Sequence, residues 1–189
     1  INRKHCEGYF GNCAGDGVQP TPPYWPKWKN FSKMFDEFYV DVPESRFTET
    51  QPWSLWEMPE LRMVVAGLNS TLKESHVDDS HYGHVGEAQL EWFQKKLRDF
   101  DREEWLVLGL VHHNVVRGAT ADDENLRDSD DLKRYLAGSL DLLLHGHTHN
   151  ARLEQLGRLP VLSTGSAALK VEQRPDEVPN QYQLSLIHI

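Results

Sequence analysis

The sequence predicts an α/β fold whose strands run in mixed directions. Three short apolar runs, at 61–69, 105–111 and 140–144, have the length and continuity that are typical of buried strands. Segments with the spacing of amphipathic helices alternate with these runs, and a pair of further short runs follows the last one. Strands that alternate with helices and then end in a hairpin favour a layered α/β domain with parallel and antiparallel pairs.

Three helices are predicted from the positions of apolar and capping residues. The first spans Pro26–Tyr39, because aromatic residues recur there at spacings of three and four: Trp28, Phe31, Phe35 and Phe38. The second, at about Gly86–Phe100, is predicted from the apolar positions Leu90, Phe93 and Leu97. The third follows the group 128–131, whose side chains are expected to cap and charge its first turn, and it ends before Gly138.

The C-terminal part of the chain changes from this alternation to a hairpin pattern. Runs at 151–156 and 159–163 are separated by Gly157-Arg158, which predicts a two-residue turn. The last six residues, 184–189, resemble the translation of a sequencing-library adapter, so we expect them to be a non-native tail. The alternative is a genuine final strand at 182–189, whose apolar character suits a strand.

Length and charge restrict the class of protein. The 189 residues are enough for one domain with a core, and no apolar run approaches the length that crosses a membrane. The net charge of −9 argues against general electrostatic binding of nucleic acid. Because Cys6 and Cys13 lack a nearby Cys or His pair, we expect free thiols in a reducing cytoplasm rather than a zinc site.

Histidines follow two of the predicted strands at the point where each strand ends. His112-His113-Asn114 comes after the run at 105–111, and His145-Gly146-His147-Thr148-His149 ends the run at 140–144. Binding groups gather at the carboxyl ends of strands in open α/β sheets, so these imidazoles are expected to converge. Neutral imidazole binds Zn, Mn, Fe or Ni, so a metal site is predicted, with a tight turn at Gly146. Because adjacent strand residues point to opposite faces, His113 and His145 are weaker ligand candidates.

These motifs resemble those of the calcineurin-like metallophosphoesterases. That family carries five blocks in order, and the last two, a His after a strand and Gly-His-x-His, match His112 and 146–149. The segment 86–97 is similar to the family's helix before the fourth block, and 64–70 is similar to the strand before that helix. The resemblance implies a layered α-β-β-α sandwich, of which this chain would hold an incomplete part.

The resemblance also implies a chemistry. In the family, two divalent metal ions bind a phosphomonoester or phosphodiester and activate water for hydrolysis. Carried over by residue, His112 and His147 would bind one ion and His149 the other. The neighbours expected around these ligands are His113, Asn114, His145 and Gly146. The ions would be Mn, Fe, Zn or Ni, and the partner would be a phosphoester substrate. No membrane is expected, nucleic acid is not indicated, and a longer protein has room for further domains.

The family's first three blocks have no convincing match in this chain. Asp79-Ser80-His81 fits Asp-x-His in letters but follows no apolar strand, and Gly15-Asp16 is followed by Gln19 where Gly-Asp-x-x-Asp needs its second Asp. We therefore expect the catalytic residues to lie upstream of Ile1 and the fragment alone to be inactive. Residues 1–183 would then be a partial domain, with an irregular and helical insert at 1–60 and a core at 61–183.

The sequence is also compatible with a second class of protein, and it does not match a third. A non-catalytic metallophosphoesterase-like scaffold or sensor module would keep the fold and use the acidic segment 122–124 or the aromatic segment 25–39 as a partner surface. A hydrolase of the metallo-β-lactamase type needs His-x-His-x-Asp-His. His149 is followed instead by Asn150, Ala151 and Arg152, so that match fails.

Overall fold

A computed structural model of the chain describes residues 28–42, 46–73, 82–116, 125–168, 170 and 178–181. Within these ranges the strands form one six-stranded sheet in the order β1-β2-β3-β4-β6-β5. The strands are β1 (Ser54–Met58), β2 (Met63–Gly67), β3 (Leu106–Val111), β4 (Leu142–His145), β5 (Arg152–Leu156) and β6 (Leu159–Ser163). The four inner strands run parallel, and the two edge strands β1 and β5 pair antiparallel with their neighbours.

Three helices accompany the sheet. They are α1 (Lys29–Phe38), α2 (Glu87–Leu97) and α3 (Ser129–Leu136), and a short 3-10 turn at Pro59–Leu61 joins β1 to β2. The predicted α/β fold with mixed strand directions and flanking helices is therefore confirmed. None of the helices in the described ranges has the length and apolar character that a membrane span requires.

One face of the sheet is covered by α2 and α3, which pack against each other. Successive residues of a strand point to opposite faces, so every second residue of the inner strands reaches this side. The buried core consists mainly of Val64, Ala66, Val107, Val111, Leu143 and Val161 from the strands and Leu90, Phe93, Leu97, Leu132 and Leu136 from the helices. This core fixes the positions of the strand ends that carry the histidines.

The opposite face of the sheet is more open. The register aligns Leu110, Leu144 and Leu162 on three adjacent strands, and Leu153 extends this row onto β5. Leu110 is 40% exposed and Leu153 is 75% exposed. Near β1 the same face is covered by the aromatic side chains of α1, because Phe35 packs against Trp56 there. A row of large apolar residues on an open sheet face is typical of a surface that another layer covers.

The structure agrees with most of the predicted elements and adds one. The three helices, the three apolar strands and the hairpin with its Gly157-Arg158 turn are confirmed, with ends that differ by a few residues. Strand β1 was not predicted, because its five residues carry no clear alternation and its pairing with β2 stabilises it. The sheet thus begins at Ser54, within the segment predicted as an insert. Cys6, Cys13, 79–81, 122–124 and 182–189 lie outside the described residues.

The prediction that Asp128 caps α3 is wrong. Asp128 stands at the position before the helix, but its side chain makes no capping hydrogen bond. Its carboxylate instead accepts hydrogen bonds from the backbone N–H groups of Val85 and Gly86. Those two residues precede α2, so the carboxylate joins the starts of two neighbouring helices. Asp130 and Asp131 still place negative charge in the first turn of α3, as predicted.

Candidate metal centre

The predicted ligands follow two adjacent parallel strands. Val111 at the end of β3 is the register partner of His145 at the end of β4, so both chains leave the sheet at the same edge. Beyond that edge, the backbone N–H of Gly146 donates to the carbonyl oxygen of His112 at 3.2 Å. This bond holds the loop after β3 against the loop after β4, so His112 and His147 lie side by side although they are far apart in sequence.

His112 and His147 are brought into direct contact. His112 Nε2 lies 2.9 Å from His147 Nδ1, and the ring planes are inclined by 74° with centroids 4.7 Å apart. With metal–nitrogen bonds of roughly 2.0–2.1 Å, two ligand nitrogens at a right angle lie roughly 2.9 Å apart, and roughly 3.3 Å at the tetrahedral angle. The pair therefore fits two adjacent positions around one divalent ion. The same distance also suits an N–H···N hydrogen bond between the rings.

The backbone that carries His147 is strained. The N–H of Thr148 donates to the carbonyl of Gly146 at 2.8 Å, so His147 is the central residue of a three-residue turn, with φ of 67°. A γ-turn with positive φ is the rare, strained form of this turn. His149 also has a positive φ, of 53°. Left-handed conformations of residues other than glycine cost free energy, and they concentrate at functional sites.

The predicted role of Gly146 as the tightly turning residue is wrong. The positive φ values fall on His147 and His149, and the positive-φ glycines of the described residues are Gly86 and Gly157. A Cβ added at Gly146 would lie 3.9 Å from His112 Nδ1, which is an ordinary contact. The residue after the glycine therefore makes the turn, and the strain falls on the imidazole-bearing residue itself.

His113 lies beside the pair as a buried third imidazole. It is 1% exposed, and its ring centroid lies 4.8 Å from that of His147 and 5.1 Å from that of His112. Its Nδ1 lies 2.8 Å from the hydroxyl oxygen of Ser70, in the loop after β2. The neighbouring Asn114 is also buried, and its side-chain amide donates to the Asn125 side chain and to the Val116 carbonyl. Both residues are thus structural neighbours held by hydrogen bonds.

His145 is separated from the pair by its own hydrogen bond and burial. Its Nδ1 lies 3.0 Å from the carbonyl oxygen of Gly146, and the residue is 3% exposed. Its Nε2 has no hydrogen-bond partner among the described residues. Burial lowers the pKa of His145, and nearby His112 acts in the same direction, whereas the Gly146 carbonyl and Glu154 oppose this shift. The neutral imidazole is therefore favoured inside the fold.

The described residues do not contain a complete set of ligands for a metal ion. Across the ranges given above, no group of three or more His, Cys, Asp or Glu side chains has a geometry that could hold a metal ion. His149 is half-buried and follows His147 by two residues, but it does not complete such a group. Among the described residues, His112 and His147 are the two side chains whose spacing suits one metal ion.

The sequence analysis missed Ser70 and Gly83 as residues of this site. Both lie in loops beyond the carboxyl edge of the sheet, where the Gly83 backbone packs on the His113 ring. Ser70 follows β2, which is the parallel neighbour of β3. Its place after a strand could therefore have predicted that it lies at the same edge as the histidines. Gly83 had no local signal, because its contact depends on the path of a long loop.

Comparisons with known proteins do not assign the chain to a family. Neither a scan against protein-family models nor a search of curated proteins finds a match. Among solved structures, the chain is similar to a protein described as a candidate 5'-nucleotidase from Staphylococcus aureus in complex with α-ketoglutarate, with 14% identity and a TM-score of 0.35. The match covers 60% of this chain and 23% of that chain, so this chain spans less than a quarter of that protein. At this degree of similarity, no function follows from the match.

Proposed function

We propose that this chain is part of a metal-dependent phosphoesterase in which His112 and His147 bind one divalent ion and His149 binds a second. The observation that carries the proposal is the 2.9 Å approach of His112 Nε2 to His147 Nδ1, beyond two adjacent parallel strands. The positive φ values of His147 and His149 support it, because such strain persists where a function requires it. The motif resemblance supplies the reaction class, hydrolysis of a phosphomonoester or phosphodiester.

The chain's own residues would position the reacting groups. A pair of divalent ions, when bound, polarises a phosphoryl group and activates water. His112 offers Nε2 and His147 offers Nδ1 on one side of the site, and the hydrogen bond between Gly146 and the His112 carbonyl fixes their spacing. The buried His113 packs against both rings, and the neighbouring Asn114 is buried as well. Pre-positioned ligands lower the cost of binding a metal ion, since little motion is lost.

The remaining ligands of this proposed centre lie outside the described residues. Two imidazoles are too few for a stable site, which needs its full ligand set. The open leucine face supports the view that further structure belongs to the domain. Leu110, Leu144, Leu162 and Leu153 form the kind of surface that a second sheet would cover in a sandwich. We propose that this second layer also brings the missing ligands.

A non-catalytic scaffold remains the second candidate. The observation that favours it is that the described residues contain no group of three ligands suited to a metal ion. A scaffold would keep the sheet and the strained loop yet bind metal weakly or not at all. The two candidates differ in one measurable property, which is turnover of a phosphoester by the longer protein.

The test is hydrolysis of bis(p-nitrophenyl) phosphate by the full-length protein with Mn²⁺, compared with its His147→Ala variant. We expect the variant to lose at least about 100-fold in kcat/KM, because a metal ligand is removed. Gln155→Ala on the exposed part of β5 is the matched control, and it should keep wild-type activity. Equal rates for wild type and His147→Ala would refute the assignment. An intact protein that turns over nothing at any Mn²⁺ concentration would support the scaffold.

A further inference from the structure

Ser70 makes one specific contact to the imidazole cluster. Its hydroxyl oxygen lies 2.8 Å from His113 Nδ1, and both residues are 1% exposed. We propose that Ser70 is a positioning residue that holds His113 in one tautomer and one orientation, so that His113 supports the ligand pair and does not itself bind metal. This inference rests on the metal site proposed above.

The backbone of Ser70 is fixed from both sides. The Gln89 side chain of α2 accepts from the N–H of Asn69 at 2.7 Å and donates to the Asn69 carbonyl at 3.0 Å. The Asn69 side chain donates to the Pro52 carbonyl at 2.8 Å, and the Ser70 carbonyl accepts from the N–H of His84 at 2.7 Å. Buried and satisfied networks of this kind are rigid. The backbone at Ser70 is therefore held in place without any help from His113.

The ring of His113 is also confined by Gly83. A Cβ added at Gly83 would lie 2.5 Å from His113 Cγ and 2.9 Å from Nδ1, both far below contact distance. The loop around Gly83 is itself tied down, because its N–H donates to the Asn125 carbonyl and its carbonyl accepts from Arg127. Ser70 and Gly83 thus both contact the ring, which also packs against the ring of His147.

Burial indicates which group donates in the hydrogen bond between Ser70 and His113. His113 is the hydrogen-bond partner of the Ser70 hydroxyl in the described part of the chain, and a buried O–H left without an acceptor costs free energy. The Ser70 O–H therefore donates to Nδ1, and the proton of the neutral ring stays on Nε2. In this tautomer neither ring nitrogen of His113 has a free lone pair for an ion as long as the bond to Ser70 is kept. This geometry gives His113 a supporting position beside the proposed ligands.

The first test is ¹⁵N NMR of the 189-residue chain labelled at histidine. We expect the His113 signals to show an unprotonated Nδ1 and a protonated Nε2, with no averaging between the two tautomers. Averaged shifts in the wild type would overturn the proposal, and so would a protonated Nδ1. This measurement needs no variant, so it decides the question even if a substitution at this buried site prevents folding.

The second test measures Zn²⁺ affinity by calorimetry for Ser70→Ala in the full-length protein, which would carry the complete ligand set. We expect affinity to fall about tenfold or more, the usual effect of losing a residue that orients a metal site. Ser54→Ala is the matched control, since Ser54 is also buried and donates to a backbone carbonyl, that of Arg46, at 2.8 Å. Equal affinity for the two variants would refute the role of Ser70.

His147→Ala separates this inference from the function on which it depends. If His147→Ala lowers Zn²⁺ affinity while Ser70→Ala does not, only the positioning role fails. If His147→Ala leaves Zn²⁺ affinity unchanged, the proposed metal site itself fails, and the role of Ser70 at that site fails with it. A loss of affinity in both variants, without a loss in Ser54→Ala, supports both proposals.

Discussion

The carboxylate of Asp128 anchors Gly86, with Oδ2 of the acid 2.7 Å from the backbone nitrogen of the glycine. The same side chain accepts from the N–H of Val85 and lies 3.3 Å from His84 Nδ1. The two helices that cover the sheet therefore share one ionic anchor at their N-terminal ends. The segment that Asp128 holds follows directly after Gly83, which packs on the His113 ring.

Loss of this anchor should destabilise the fold strongly. Asp128→Ala removes the acceptor for two backbone N–H groups, and hydrogen bonds to a charged group are the stronger kind. We expect the free energy of unfolding, measured by urea denaturation, to fall by about 3 kcal/mol. Asp131→Ala is the control, because its bond to Arg134 is exposed and should be worth less than about 0.5 kcal/mol. Similar losses in the two variants would contradict this anchoring role.

Backbone strain at His147 should be measurable as a stability difference. Glycine adopts positive φ without steric cost, whereas alanine does not, so His147→Gly should be more stable than His147→Ala by about 1 kcal/mol. Thr148 does not have a positive φ, so Thr148→Gly should instead lose stability relative to Thr148→Ala. Both comparisons use urea denaturation. An advantage for alanine at position 147 would show that the turn is not strained as described.

The fold should lose stability as the pH falls below about 6.5. Burial lowers the pKa of His145 from its usual 6.5, and it also lowers that of His84, where Lys73 assists and Asp128 and Asp131 oppose. A lowered folded pKa means that the unfolded chain binds more protons in the window between the two values. Stability is therefore fully present above about pH 6.5 and is lost as the pH falls toward the folded pKa.

The pH effect of His145 can be isolated by substitution. His145→Leu removes the titrating group and the buried Nε2 that has no partner in the described structure. We expect a flatter dependence of the unfolding free energy below about pH 6.5, and a gain of about 1 kcal/mol near neutral pH. The Gly146 carbonyl remains satisfied by the N–H of Thr148. A pH profile as steep as that of the wild type would contradict the assignment to His145.

A methyl group at Gly83 should disturb the packing around His113. The added Cβ would meet the His113 ring at 2.5 Å, so the ring or the loop must move. We expect Gly83→Ala to cost about 2 kcal/mol of stability, a typical penalty for overpacking. Gly138→Ala is the control, because no atom lies within 4 Å of its added Cβ. If the unfolding temperature falls equally in both variants, Gly83 is not tightly packed.

Much of this architecture follows from local patterns in the sequence. Leu90, Phe93 and Leu97 are spaced for one helical face, and they form the buried face of α2. The runs before His112 and His145 are continuous and apolar, although only alternate residues of these strands are fully buried and the others lie on the open leucine face. The prediction that His112 and His147 converge also used only sequence, since it depended on where parallel strands end.

Only the tertiary structure decided which side chains meet across long separations. Nothing near Asp128 indicates that it serves the start of α2 and not its own helix, because that choice depends on how two helices pack. Ser70 and His113 are 43 residues apart, and their contact exists because β2 and β3 are neighbours in the sheet. The sequence by itself determined most of the elements and the residue types at the strand ends. Packing decided their partners, because hydrogen bonds between distant loops depend on positions that no local spacing encodes.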